Sequence, residues 1–61
     1  MDRLEQLMCR RVAYVMTDEP YTTYKGTVER DSTGRPYIQD ENEAGVIIYD
    51  TGALKTVKEI N

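Results

Sequence analysis

The apolar residues follow a helical spacing first and a strand spacing afterwards. Leu4, Leu7 and Met8 lie three and four positions apart, behind Asp2 and Glu5 placed as in a capping box. This predicts a helix of about two to three turns over residues 1–11, ending near Arg10, with those three side chains as its apolar stripe. From Arg11 the period falls to two. Val12, Tyr14 and Met16 take one face of a first strand, and Ala13 and Val15 take the other. Thr22 to Asp31 alternates again, with Tyr24, Gly26 and Val28 inward and Thr23, Lys25, Thr27 and Glu29 outward. A glycine inside a strand weakens it unless a bend or a close backbone approach requires it, so Gly26 marks such a place.

Turn chemistry separates the remaining elements. Asp31-Ser32-Thr33-Gly34 reads as a tight turn, and Arg35 to Asp40 as a short third strand with Pro36 suited to its start or to an edge. Val46-Ile47-Ile48-Tyr49 is the most apolar segment, and both of its faces need cover, from the helix or from a neighbouring subunit. After Gly52 two patterns overlap, because Leu54, Val57 and Ile60 keep helical spacing while Thr56 to Ile60 alternates; a turn through Lys55 and a fifth strand is the preferred reading. The expected fold is mostly β, a single domain over residues 1–61 built as a small five-stranded bent-sheet barrel (12–61) behind a short N-terminal helix.

Composition narrows the function classes. A chain of 61 residues buries only about 60% of the surface its unfolded form exposes, and domains this small usually need a further support. One cysteine, Cys9, and no histidine exclude an internal disulfide and a Cys/His zinc site. Self-association is the remaining support, so a homo-oligomer is expected, with neither cofactor nor metal. The lone cysteine and an amino terminus that carries charges where a signal peptide has its apolar core make a cytoplasmic location the expectation, and the absence of a long apolar run argues against a membrane. Cys9 itself is expected to be a buried, inert thiol.

Residues 1–30 hold five basic and five acidic side chains, and residues 31–61 hold three and six. An acidic balance disfavours binding that depends on phosphate neutralisation. Arg10, Arg11, Lys25 and Arg35 nevertheless form a candidate nucleic-acid contact beside tyrosines on which bases could stack. Five tyrosines with no phenylalanine or tryptophan imply rings at the surface. Tyr21 and Tyr37, together with Ile47 and Tyr49 of the apolar strand, are the candidate partner-binding residues.

The order helix, strand, long strand with a central glycine, short strand, apolar strand and closing strand resembles the Sm-like small barrels, in particular the bacterial Hfq family, from about Leu4 to Ile60. Tyr24-Lys25-Gly26-Thr27-Val28 stands where that family has its G-x-hydrophobic strand, and Tyr49 lies near its Tyr-Lys-His motif. Asp50-Thr51-Gly52 replaces the Lys-His pair, and the loop from Asp31 to Pro36 lacks Phe-Asp-x-Phe, so the family's RNA-contacting residues do not transfer. The resemblance implies the fold and the habit of joining the fourth strand of one subunit to the fifth of the next. A generic SH3-like barrel shares the strand order.

Ile48-Tyr49-Asp50-Thr51-Gly52-Ala53 is similar to the signature of retroviral-type aspartic proteases, which share one proton between paired aspartates. Nine residues after Gly52 are too few for flaps and supporting strands, and Asp-Thr-Gly is ordinary turn chemistry. Asp40, Glu41, Glu43 and Asp50 offer oxygen ligands for a hard cation, but their spacing fits no metal loop. The expected function is therefore a non-enzymatic module that binds a protein partner, in the manner of small phage or mobile-element proteins that block host factors. The alternatives are an Sm-like RNA or single-stranded nucleic-acid binder and a protease-like remnant at Asp50.

Overall fold

The computed structural model describes residues 2–60. The period-two segments form β1 (Arg11–Met16), β2 (Glu19–Arg30), β3 (Pro36–Asp40), β4 (Ile47–Tyr49) and β5 (Leu54–Glu59). All pair antiparallel in one sheet of order β4-β3-β2-β1-β5. The tail is thus a strand, since Val57 and Leu54 pair with Tyr14 and Met16 of β1. The sheet is not closed into a barrel: β4 and β5 are its two edges.

Alternation places the core as the sequence predicts. Val12, Tyr14, Val28, Ile38 and Leu54 are buried together, and Leu4 joins them from the amino-terminal segment. Cross-strand register brings these residues into line, with Val28 opposite Ile38 and Tyr14 opposite Tyr24. Gly26 is buried opposite Asp40. A Cβ there would lie 2.4 Å from the Gln39 carbonyl oxygen and 2.7 Å from Ile38 Cγ2, so β2 approaches β3 more closely than any side chain permits.

The predicted helix is replaced by a single 3-10 turn, Glu5–Leu7. The apolar stripe survives, because Leu4 is buried and Leu7 and Met8 pack against the core, but its helix does not propagate. Cys9 turns at φ 64°, its amide donates to the Val28 carbonyl, and the Val28 amide donates to Arg10. Pairing with β2 takes over at the point where a second helical turn would begin, and so short a helix has no cooperative gain with which to compete. The capping box is also unmade. Asp2 Oδ1 accepts the Leu4 amide at 2.9 Å, while Glu5 pairs with Arg30 instead of reaching back. Cys9 is exposed, not buried.

Arg3 fixes this segment to the sheet. Its guanidinium donates to Asp50 Oδ1 at 2.9 Å and to the Leu54 carbonyl at 2.7 Å, and its amide donates to Asp50 Oδ2 at 2.6 Å. No helix among the described residues is long and apolar enough to cross a membrane.

Candidate functional site

Three of the four candidate partner-binding residues come together on the β3–β4 side of the sheet. Tyr37 and Tyr49 are cross-strand partners with ring centroids 5.9 Å apart. The Tyr49 hydroxyl donates to Asp31 Oδ2 at 2.8 Å, and the Arg35 guanidinium lies 4.2 Å from the centre of the Tyr49 ring. Both rings are half-buried, so the expected exposure of Tyr37 is only partial. Ile47 pairs with Gln39 on the edge strand and is 45% exposed. The amino-terminal segment places Leu4 in the core and leaves Ile47 uncovered. Tyr21 stands apart on β2 and is fully exposed.

Asp31 organises the adjoining turn. Its Oδ1 accepts from the Thr33 amide, the Thr33 hydroxyl and the Arg35 amide, and Gly34 closes the turn at φ 89°. Hydrogen bonds from Thr33 and then Tyr49 hold the Asp31 carboxyl well below the usual carboxylate range. Arg11 lowers Glu41 and Arg3 lowers Asp50 in the same way. A depressed carboxylate contributes stability that is in place above its unfolded value of about pH 4 and is lost as pH falls through the folded one. The thermal midpoint is therefore expected to drop between about pH 5 and pH 2, followed by circular dichroism. Asp31→Asn should flatten that slope; an unchanged slope would mean that Asp31 is not among the groups responsible.

Three of the four candidate basic residues have partners within the chain. Arg11 and Lys25 are diagonal neighbours across β1 and β2, since Arg11 pairs with Thr27 and Ala13 with Lys25. Arg11 forms a two-pronged ion pair with Glu41 at 2.9 and 3.0 Å. Arg10 pairs with Glu59, and Arg35 is stacked on Tyr49. Much of the positive charge is thus matched within the chain.

Of the acidic residues considered for a metal or a proteolytic site, Asp40 and Glu43 are neighbours, while Glu41 is held by Arg11. Asp50 is held by Arg3, and Thr51 closes a turn by accepting the Ala53 amide and, through its carbonyl, that of Leu54. Among the described residues no three acidic or Cys side chains converge on a point where a metal ion could be held.

One feature escaped the sequence reading. One end of the sheet opens into a cleft of about 270 Å³ lined by Tyr14, Met16, Asp18, Glu19, Tyr24, Asp40, Glu43, Val46 and Ile48. At its base the buried Tyr14 hydroxyl donates to Asp40 Oδ1 at 2.6 Å. Asp40 Oδ2 accepts the amides of Asn42 and Glu43, which shapes the loop leading to β4. Tyr14 and Tyr24 stack at 5.5 Å, and the Tyr24 hydroxyl donates to Glu19 at 2.8 Å. The signal was available: with Ile38 inward, period two turns Asp40 inward as well, and a buried carboxylate requires a donor from a facing strand. Neither a protein family, nor a curated protein, nor a solved structure matches the chain.

Proposed function

We propose that this chain is a non-enzymatic binding module that works by association, pairing its open sheet edges with further copies and presenting its β3–β4 surface to a partner protein. The observation that carries the reading is Ile47, a large aliphatic side chain 45% exposed on a three-residue edge strand. An edge strand offers unpaired N–H and C=O groups, and natural proteins usually blunt such an edge by shortness, charge or proline. The β4 edge is short, but Ile47 brings neither charge nor proline to it. Strand order also supports the Sm-like kinship: with β4 and β5 at opposite edges, joining β4 of one copy to β5 of the next would remove both edges at once. The engagement of Arg10, Arg11 and Arg35 by groups of the same chain favours a protein surface over nucleic acid as the partner.

Ile47→Glu tests the reading, because it places a charge on the proposed interface without disturbing the core. Sedimentation should show a shift to the monomer while circular dichroism stays that of the folded chain. A folded variant with unaltered mass would refute the edge interface. Tyr49→Glu is a poorer probe, since it would also set a second carboxylate beside Asp31 and break the hydrogen bond between them.

A further inference from the structure

We propose that the cleft lined by Tyr24, Glu43 and Ile48 is a recognition site for a guanidinium group, the side chain of an arginine on a partner protein. It rests on the reading as a protein-binding module and supplies its specificity. It uses the face of β4 opposite Ile47, through Val46 and Ile48, so it is separable from the edge interface.

The cleft has the shape and chemistry of a pocket for one amphipathic cation. Its walls are Tyr24, Met16, Val46 and Ile48, which suit the aliphatic stem of a long side chain. Its rim carries Asp18, Glu19 and Glu43, with Asp40 at the base, and no lysine or arginine lines it. At about 270 Å³ it falls just short of the usual range for a drug-sized ligand, and is suited to a single inserted side chain. The carboxylates around the cleft act on its tyrosines in one direction, in addition to burial. Burial and Asp40 push the Tyr14 phenol up, and Glu19, through its hydrogen bond, pushes up Tyr24, with Asp18 and Glu43 adding to the same direction.

The same molecule displays the geometry elsewhere. At the β2–β3 turn, a tyrosine donates its hydroxyl to a carboxylate and an arginine lies on the ring: Tyr49, Asp31 and Arg35. The cleft repeats the first two components in an accessible form once, as Tyr24 with Glu19, while the Tyr14–Asp40 pair beneath is buried and fully hydrogen-bonded. What differs is the source of the cation, which in the cleft must come from outside the residues that line it. A planar guanidinium is preferred to an ammonium on physical grounds. It stacks on aromatic faces, is less strongly hydrated, and presents a fork of donors that carboxylates such as Glu43 and Asp18 can accept together.

The test uses three short capped peptides, acetyl-Gly-X-Gly-amide with X as arginine, lysine or the neutral citrulline, titrated into the intact chain and followed by amide chemical shifts. Arginine should move the resonances of Tyr24, Glu43, Val46 and Ile48 saturably, bind at least about threefold more tightly than lysine, and weaken with added salt. Citrulline should not bind. Glu43→Gln, which keeps the backbone amide used by Asp40, should weaken arginine binding severalfold, and Ile47→Glu should leave it unchanged. The site is overturned if arginine produces no saturable shifts in the cleft, if lysine or citrulline binds equally well, or if the glutamine variant of Glu43 binds as the original does. Loss of self-association in Ile47→Glu with arginine binding intact would separate the two surfaces. Self-association without arginine binding would remove the cleft alone.

Discussion

Gly26→Ala is expected to destabilise this chain by about 1–3 kcal/mol, and Gly26→Val to leave it unfolded at room temperature. A Cβ at this position falls 2.4 Å from the Gln39 carbonyl oxygen and 2.7 Å from Ile38 Cγ2. The first obstacle is backbone of a paired strand, so β2 and β3 would have to separate in the middle of their ladder. Total stability for a chain of this length is roughly 3–9 kcal/mol, so the methyl group removes a large share. Gly45 and Gly52 provide the controls, since a Cβ at either meets nothing within 4 Å. Alanine there should change stability by less than about 1 kcal/mol, in either direction. Urea unfolding decides the matter: the midpoint should fall for Gly26→Ala with an unchanged slope, and an unmoved midpoint would show that the two strands are not so closely apposed.

Asp40→Ala is the second substitution with a large expected effect, a loss of about 1–3 kcal/mol. Asp40 is 6% exposed and joins three otherwise separate donors: the Tyr14 hydroxyl and the amides of Asn42 and Glu43. Its removal strands a buried phenol and loosens the loop that delivers β4. Tyr14→Phe alone leaves Asp40 with one oxygen unpaired. The double variant should therefore cost less than the sum of the two single ones, because neither orphan remains at that bond. A strictly additive result from denaturant unfolding would mean that the Tyr14–Asp40 bond contributes nothing beyond its separate members.

Particular residues explain how much of this was legible in the sequence. Period two in Val12-Tyr14 and in Gly26-Val28 marked strands and core, because a half-buried strand carries its exposure in its own spacing, whereas Leu54 and Val57 lie three apart and only pairing with β1 makes their segment a strand. Gly26 announced a close approach for the same local reason. The helix failed because its spacing is equally that of a 3-10 turn with a short extension, and the choice was made by Val28, distant in sequence, which bonds Cys9 and Arg10. Barrel closure failed because strand count and order do not determine whether β4 reaches β5. In the candidate site, cross-strand register sets Tyr37 against Tyr49 with Ile47 two residues along the same strand, a juxtaposition not legible along the chain. Glu41, Glu59 and Tyr49 stand beside Arg11, Arg10 and Arg35, neighbours that depend on long-range register and are not legible along the chain. The cleft was missed because its acidic residues read along the chain as two solvated turns. They face one another only after the sheet curls.

With Ile47 on an open edge of the sheet, we propose that a second copy covers it. Sedimentation equilibrium of the unaltered chain over a dilution series is the direct measurement. The account predicts a mass several times the 7.0 kDa of one chain at working concentrations, falling toward that value on dilution. A mass of one chain throughout, with the fold intact, would contradict it.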